Sequence, residues 1–151
     1  MRRQVGFFLA IFGLMVAAAP CVFAQDAGGG IALSGAWVRE TLPGKDITAG
    51  FLTLANDGEQ DALIGVECDA ASTVELHRMA HENGQMKMEQ VKEIVLPSQG
   101  EVKLEPGGLH LMFFGVREPL VAGKTVKLTL TFRHAKPQTI EVPVRALDGK
   151  K

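Results

Sequence analysis

From residue 126 the chain alternates almost without fault. Val126, Leu128, Leu130 and Phe132 take one set of positions, and Lys127, Thr129, Thr131 and Arg133 the other. Ile140, Val142 and Val144 repeat the pattern against Glu141 and Arg145. A period of two is that of a strand with one buried face. The same reading, with Gly, Pro, Asn and Asp as punctuation, predicts strands over Ile31–Arg39, Ala49–Ala55, Ala62–Glu67, Thr73–Ala80, Gln85–Val91, Glu101–Leu104, Leu109–Phe114, Thr125–Arg133 and Thr139–Arg145. No segment sustains a 3.6-residue apolar period. Many short strands with regular turn signals indicate an all-β sandwich or barrel.

The first 24 residues differ from the rest. A basic Met1-Arg-Arg head, an apolar run from Val5 to Ala19 and the small-residue exit Val22-Phe-Ala24 have the layout of a signal peptide cleaved after Ala24. The run is shorter than the roughly 20 residues of a membrane-spanning helix. Cys21 offers a second reading, an acylated lipoprotein cysteine, although Pro20 suits the position before such a cysteine poorly. Residues 25–151 are then one domain, followed at its end by a short tail, Asp148-Gly-Lys-Lys151. Losing the leader removes Arg2 and Arg3 and leaves 14 basic against 17 acidic residues, a net charge of −3. Neither nucleic acid nor an anionic membrane is implied by that balance. One cysteine, Cys68, remains, so the mature chain forms no internal disulfide.

The four methionines beyond the leader, Met79, Met86, Met88 and Met112, share one region with His77, His81 and His110. Thioether and imidazole together suit copper, and above all copper(I), because the thioether is soft and has no proton to lose. Residues i and i+2 of a strand point to one face, so His77 and Met79, Met86 and Met88, and His110 and Met112 form three same-face pairs. In Gly107-Gly-Leu-His-Leu-Met-Phe-Phe-Gly115 the alternation sends His110, Met112 and Phe114 one way and Leu109, Leu111 and Phe113 the other. Asn83-Gly84 is a strong signal for a two-residue hairpin turn. Such a turn pairs Glu82 with Gln85, sets Met79 against Met88 and His81 against Met86, and leaves His77 diagonal to Met88. Methionine in a strand is commonly core filler, and a histidine between leucines is commonly a satisfied core residue. That explanation must hold six times in one small region and leaves the histidines short of hydrogen-bond partners.

His77, ten residues, Met88, twenty-one residues, His110, one residue and Met112 reproduce the H-x10-M-x21-H-x-M signature of the PCu(A)C family, the periplasmic copper chaperones. The chain also resembles that family at Gly35-Ala-Trp-Val-Arg39, Ala49-Gly-Phe-Leu-Thr-Leu54, Val74-Glu-Leu-His77, Leu104-Glu-Pro-Gly-Gly-Leu-His-Leu-Met112 and Val126-Lys-Leu-Thr-Leu-Thr-Phe132, in the family's order. The resemblance implies a cupredoxin-like Greek-key β-barrel and one copper(I) at an exposed site, with His77, Met88, His110 and Met112 as ligands. It further implies periplasmic delivery of copper, commonly to the binuclear copper site of cytochrome c oxidase subunit II, alongside a thioredoxin-like copper chaperone. Met79 and Met86 lie outside the signature and are candidates for secondary soft ligands or for packing. The His- and Met-rich tail of some relatives is missing from Arg145-Ala-Leu-Asp-Gly-Lys-Lys151, so a separate copper(II) site is not expected.

Two other functions compete. Blue-copper electron transfer needs a cysteine thiolate with two histidines, and Cys68 stands apart from the His/Met region, where it reads as a small buried residue. A metal-free interaction domain would use the methionines only for packing. No nucleophile, base and orienter grouping, carboxylate pair or phosphate loop points to an enzyme.

Overall fold

The computed structural model describes residues 30–146, and the leader and the last five residues lie outside that range. Ten strands run in chain order: β1 (Ile31–Arg39), β2 (Thr48–Asn56), β3 (Asp61–Cys68), β4 (Ala71–Glu82), β5 (Gln85–Gln90), β6 (Ile94–Leu96), β7 (Gly100–Leu104), β8 (Leu109–Val116), β9 (Thr125–Phe132) and β10 (Gln138–Arg145). All nine strands expected from the alternation are present, each with ends within two residues of those read from sequence. The tenth, β6, is three residues long and stops at Pro97, too short to show a period. No helix occurs among the described residues.

The strands follow one another as β5-β4-β8-β7-β2-β1-β10-β9-β3-β6, and β3 also meets β4 at Val66 and Val74. That contact closes eight strands into a barrel, with β5 and β6 attached outside the ring. Closure pairs the edges that these eight strands would expose as an open sheet. Two neighbours, β1 with β10 and β7 with β8, are parallel, and the other pairs are antiparallel. Strand β2 divides its length between two partners, pairing with β8 over Thr48–Gly50 and with β7 over Leu52–Asn56.

The barrel interior is filled by one member of each alternating set. Val38, Leu52, Leu54, Leu63, Leu111, Phe113, Leu128, Leu130 and Val142 are almost wholly buried. Each such side chain contributes roughly 1.5–3 kcal/mol on leaving water. Gly50 allows β2 to approach β8 this closely, since a Cβ there would lie 2.7 Å from the Phe113 ring.

Asp61 is the buried carboxylate of the fold. Its Oδ1 accepts the N–H groups of Ala62 and His134, and its Oδ2 accepts that of Ala135. These bonds fasten the β9–β10 connection to the start of β3. Burial pushes this carboxyl's pKa up, but the three backbone donors and the neighbouring His134 side chain together outweigh burial and hold it below the ordinary carboxylate value. As the pH falls the unfolded chain therefore protonates first, so this group's stabilisation is complete above about pH 4 and is lost as the pH drops through the lower folded value. Asp61→Asn replaces one acceptor oxygen with a donor. It should cost about 1–3 kcal/mol in urea unfolding at neutral pH, with the gap from the parent protein closing in acid. A gap that is constant down to acid pH would remove the carboxylate from this role.

Candidate metal centre

The donor-bearing face lies outside the barrel wall, opposite the core. On β8, Leu111 and Phe113 point into the core and are fully buried, which sends His110, Met112 and Phe114 to the other side. Strand β4 pairs with β8 so that His77 stands against His110 and Glu75 against Met112. The β4–β5 hairpin has the register expected from Asn83-Gly84: His77 opposes Gln90, Met79 opposes Met88, and His81 opposes Met86. Both turn residues have positive φ, 52° at Asn83 and 77° at Gly84, as a type I′ turn requires. One turn thus places Met88 diagonal to His77, within the roughly 7–8 Å that a diagonal pair spans.

Residues 40–47, between β1 and β2, fold over this face and make a groove of about 470 Å³. The segment is held by Thr41, whose N–H and hydroxyl both donate to the Leu120 carbonyl and whose hydroxyl accepts from the Leu120 N–H. Thr48 ties its other end by donating to the Arg39 carbonyl at 2.7 Å. Met79, Met88, His110 and Met112 line one side of the groove, facing Leu42, Ile47 and Phe51, with Arg39, Glu40 and Lys45 also at its wall. Three of the four signature residues meet here. His77 is not part of the lining, although its ring centroid is 5.8 Å from that of His110 and 6.2 Å from that of Phe114. Met79, outside the signature, does line the groove, whereas Met86 is half-exposed on the hairpin beyond it.

Exposure divides the signature residues into two kinds. His77 and His110 are buried, at 9% and 5% of their possible accessible surface, while Met88 retains 45%. At the exposed site that the family resemblance implies, both imidazoles are buried, His110 within the wall of the groove, and the thioether of Met88 meets solvent.

Buried imidazoles need partners, and each ring has one. Nε2 of His77 lies 2.8 Å from Glu75 Oε2, and Nδ1 of His110 lies 3.0 Å from the Gly108 carbonyl oxygen. A carboxylate or carbonyl oxygen only accepts, so these contacts assign the proton to Nε2 in His77 and to Nδ1 in His110. Nδ1 of His77 is then a lone-pair nitrogen, and it is buried with no hydrogen-bond partner. An orphaned buried acceptor costs about 1–3 kcal/mol. The other buried side-chain nitrogen without a hydrogen-bond partner among the described residues is the donor Nε of Arg39, whose guanidinium lies 5.6 Å from the centroid of the Phe51 ring. Among the described residues no three His, Cys, Asp or Glu side chains converge as a metal-binding group. Any ion taken up at this face would draw on the thioethers.

Cys68 ends β3 and does not line the groove. It is half-buried rather than buried, and burial, reinforced by the negative charge of Asp69, pushes its thiol pKa up despite N–H donation from Ala70 and Ala71. A thiolate ligand of the blue-copper kind is absent from the groove lining. His134 sits in the β9–β10 connection beside Asp61, away from the groove lining.

Residues 31–144 match the family model described as "Putative lipoprotein LpqE-like". The chain belongs to this LpqE-like, PCuAC-type family. A protein of Leifsonia xyli subsp. xyli, described as "Putative lipoprotein Lxx21020", is 34% identical over 122 residues, which are 80% of this chain and 72% of that protein. Among solved structures, the copper-bound PCuAC domain of PmoF2 superposes with a TM-score of 0.68 at 26% identity, covering 81% of this chain and 97% of that one. The apo form of DR1885 from Deinococcus radiodurans has a TM-score of 0.62 at 26% identity over 97% of this chain and all of its own. Its copper(I) form, described as CuI-DR1885, gives 0.58 at the same identity over 84% and 83%. The cupredoxin-like all-β fold is therefore shared with PCuAC domains.

The register that assembles the donors depends on the left-handed backbone at Gly84. Gly84→Ala should destabilise the protein by about 1 kcal/mol, measured by denaturant midpoint, and weaken the NMR contacts between the Met79 and Met88 side chains. A variant with both unchanged would show that the turn does not set the register.

Proposed function

We propose that this protein is an exported copper(I) metallochaperone that holds one ion between His77, Met88, His110 and Met112 and delivers it to an acceptor protein. The supporting observation is the donor set itself. Thioethers and imidazoles gather on one face, each imidazole has one nitrogen tied to an oxygen acceptor, and the remaining nitrogen is left for an ion. Outer hydrogen bonds of this kind orient histidine ligands in metal sites generally. Ring centroids 5.8 Å apart suit two imidazoles converging on one ion at metal–nitrogen distances of about 2 Å. The copper-bound PmoF2 domain and CuI-DR1885 carry copper on the same fold.

Copper is the cargo here, and the division of exposure suggests how it leaves. Neutral thioethers exchange without proton transfer, and Met88 is the signature residue most open to solvent. An acceptor ligand replaces Met88 first, while the buried imidazoles keep hold until later steps. Met79, in the groove beside Met88, is a spare thioether along that path. The acceptor we favour is the binuclear copper site of cytochrome c oxidase subunit II in the periplasm, with a thioredoxin-like copper chaperone acting alongside.

Titration of the purified protein with copper(I) under anaerobic conditions should show one equivalent bound. Met88→Ala and His110→Ala should each weaken binding at least about tenfold, and His134→Ala should leave it unchanged. Equal affinity in all four proteins would refute the ligand assignment. Transfer to the soluble copper domain of subunit II, followed by the visible spectrum of that domain, tests the acceptor.

The leader carries a second, separable reading. Cleavage after Ala24 yields a free protein of residues 25–151, whereas the lipoprotein descriptions of the family and of the Leifsonia protein favour processing at Cys21. The mass of the exported protein distinguishes them: an N-terminal Gln25 in one case, a diacylated Cys21 in the other.

A further inference from the structure

We infer that Glu75 is a positioning residue for copper capture, and that with the Gly108 carbonyl it makes the two histidines present different ring nitrogens: Nδ1 from His77 and Nε2 from His110. The inference rests on the site proposed above and adds to it the atoms used and the groups that choose them.

Glu75 and His77 are two apart on β4 and share a face, which brings Oε2 within 2.8 Å of Nε2. In the β4–β8 register Glu75 also stands opposite Met112, so its carboxylate belongs to the donor-bearing face. A carboxylate is a hard oxygen donor and a poor match for copper(I) beside thioethers. Its distance from His77 instead makes it an acceptor for the ring proton. With Nε2–H engaged, Nδ1 is the nitrogen left with a lone pair, and it is the orphaned buried atom of this ring.

His110 is held in the opposite sense. The Gly108 carbonyl accepts both the Met79 backbone N–H at 3.1 Å and the Nδ1–H of His110 at 3.0 Å. That carbonyl therefore joins β4, at a groove-lining methionine, to the ring of a groove-lining histidine. Gly107, with φ of 85°, makes the reversal that brings Gly108 into place. Nε2 of His110 is the nitrogen left over. Two neighbouring rings are thus fixed before any ion arrives, one through a side chain and the other through the backbone, and neither needs to turn over during capture.

Long-range ¹H–¹⁵N correlation spectra of histidine-labelled protein at neutral pH read the tautomers directly. The apo protein should show His77 protonated at Nε2 and His110 at Nδ1. Anaerobic copper(I) should then shift Nδ1 of His77 and Nε2 of His110. Glu75→Ala should give His77 a mixture of tautomers and weaken copper(I) binding about 10- to 100-fold, and Glu75→Gln, which keeps an acceptor oxygen, should restore most of both. His77 carrying its proton on Nδ1, or shifting at Nε2 on metal addition, overturns the inference while leaving the ligand set standing. A failure of copper(I) to shift either ring overturns both. If Glu75→Ala does not fold, the parent spectra and Glu75→Gln still decide.

Discussion

The pairing of β4 with β8 is the constraint from which the rest of this molecule follows. Along these two strands every second side chain enters a core in which Leu111 and Phe113 are fully enclosed, and the residues between them have only the outer face to occupy. A one-residue slip in this register would drive His110 and Met112 into the core and expose Leu111 and Phe113. The same apolar burial that holds the barrel together therefore holds His77 beside His110. Stability and site geometry are not separate achievements of this fold.

Around that pair, three devices of different physical kinds complete the arrangement. A type I′ turn at Asn83-Gly84 supplies the methionines of β5 through backbone conformation alone. A segment pinned by Thr41 and Thr48 covers the face and turns a sheet surface into a groove. Oxygen acceptors at Glu75 and Gly108 then give each imidazole a definite protonation pattern. The result is graded. Its nitrogen donors are buried and oriented, and its Met88 thioether stands half in solvent, open to an incoming ligand. A carrier that must both protect and release a soft ion has use for that difference.

Membership of the LpqE-like, PCuAC-type family agrees with this construction and extends it to relatives whose structures contain copper.

Much of this was legible in the chain because strands and hairpins are local. Alternation from Val126 to Arg133 declared a strand without help from the rest of the molecule, and Asn83-Gly84 declared the β4–β5 register because only residues tolerant of positive φ suit that turn. The same period of two separated His110 from Leu111 before any fold was known. Strand β6 stayed hidden, since three residues carry no period and its pairing with β3 spans some thirty positions. Nor could spacing show that Met79 would line the groove while His77 would not, or that residues 40–47 would form part of its wall and both imidazoles would be buried. Those outcomes depend on contacts between segments far apart in the chain, such as Thr41 with Leu120, and on the burial that such contacts create. Local periodicity chose the donors and the face they share; long-range packing chose which are buried, which are open and which nitrogen each histidine has to offer.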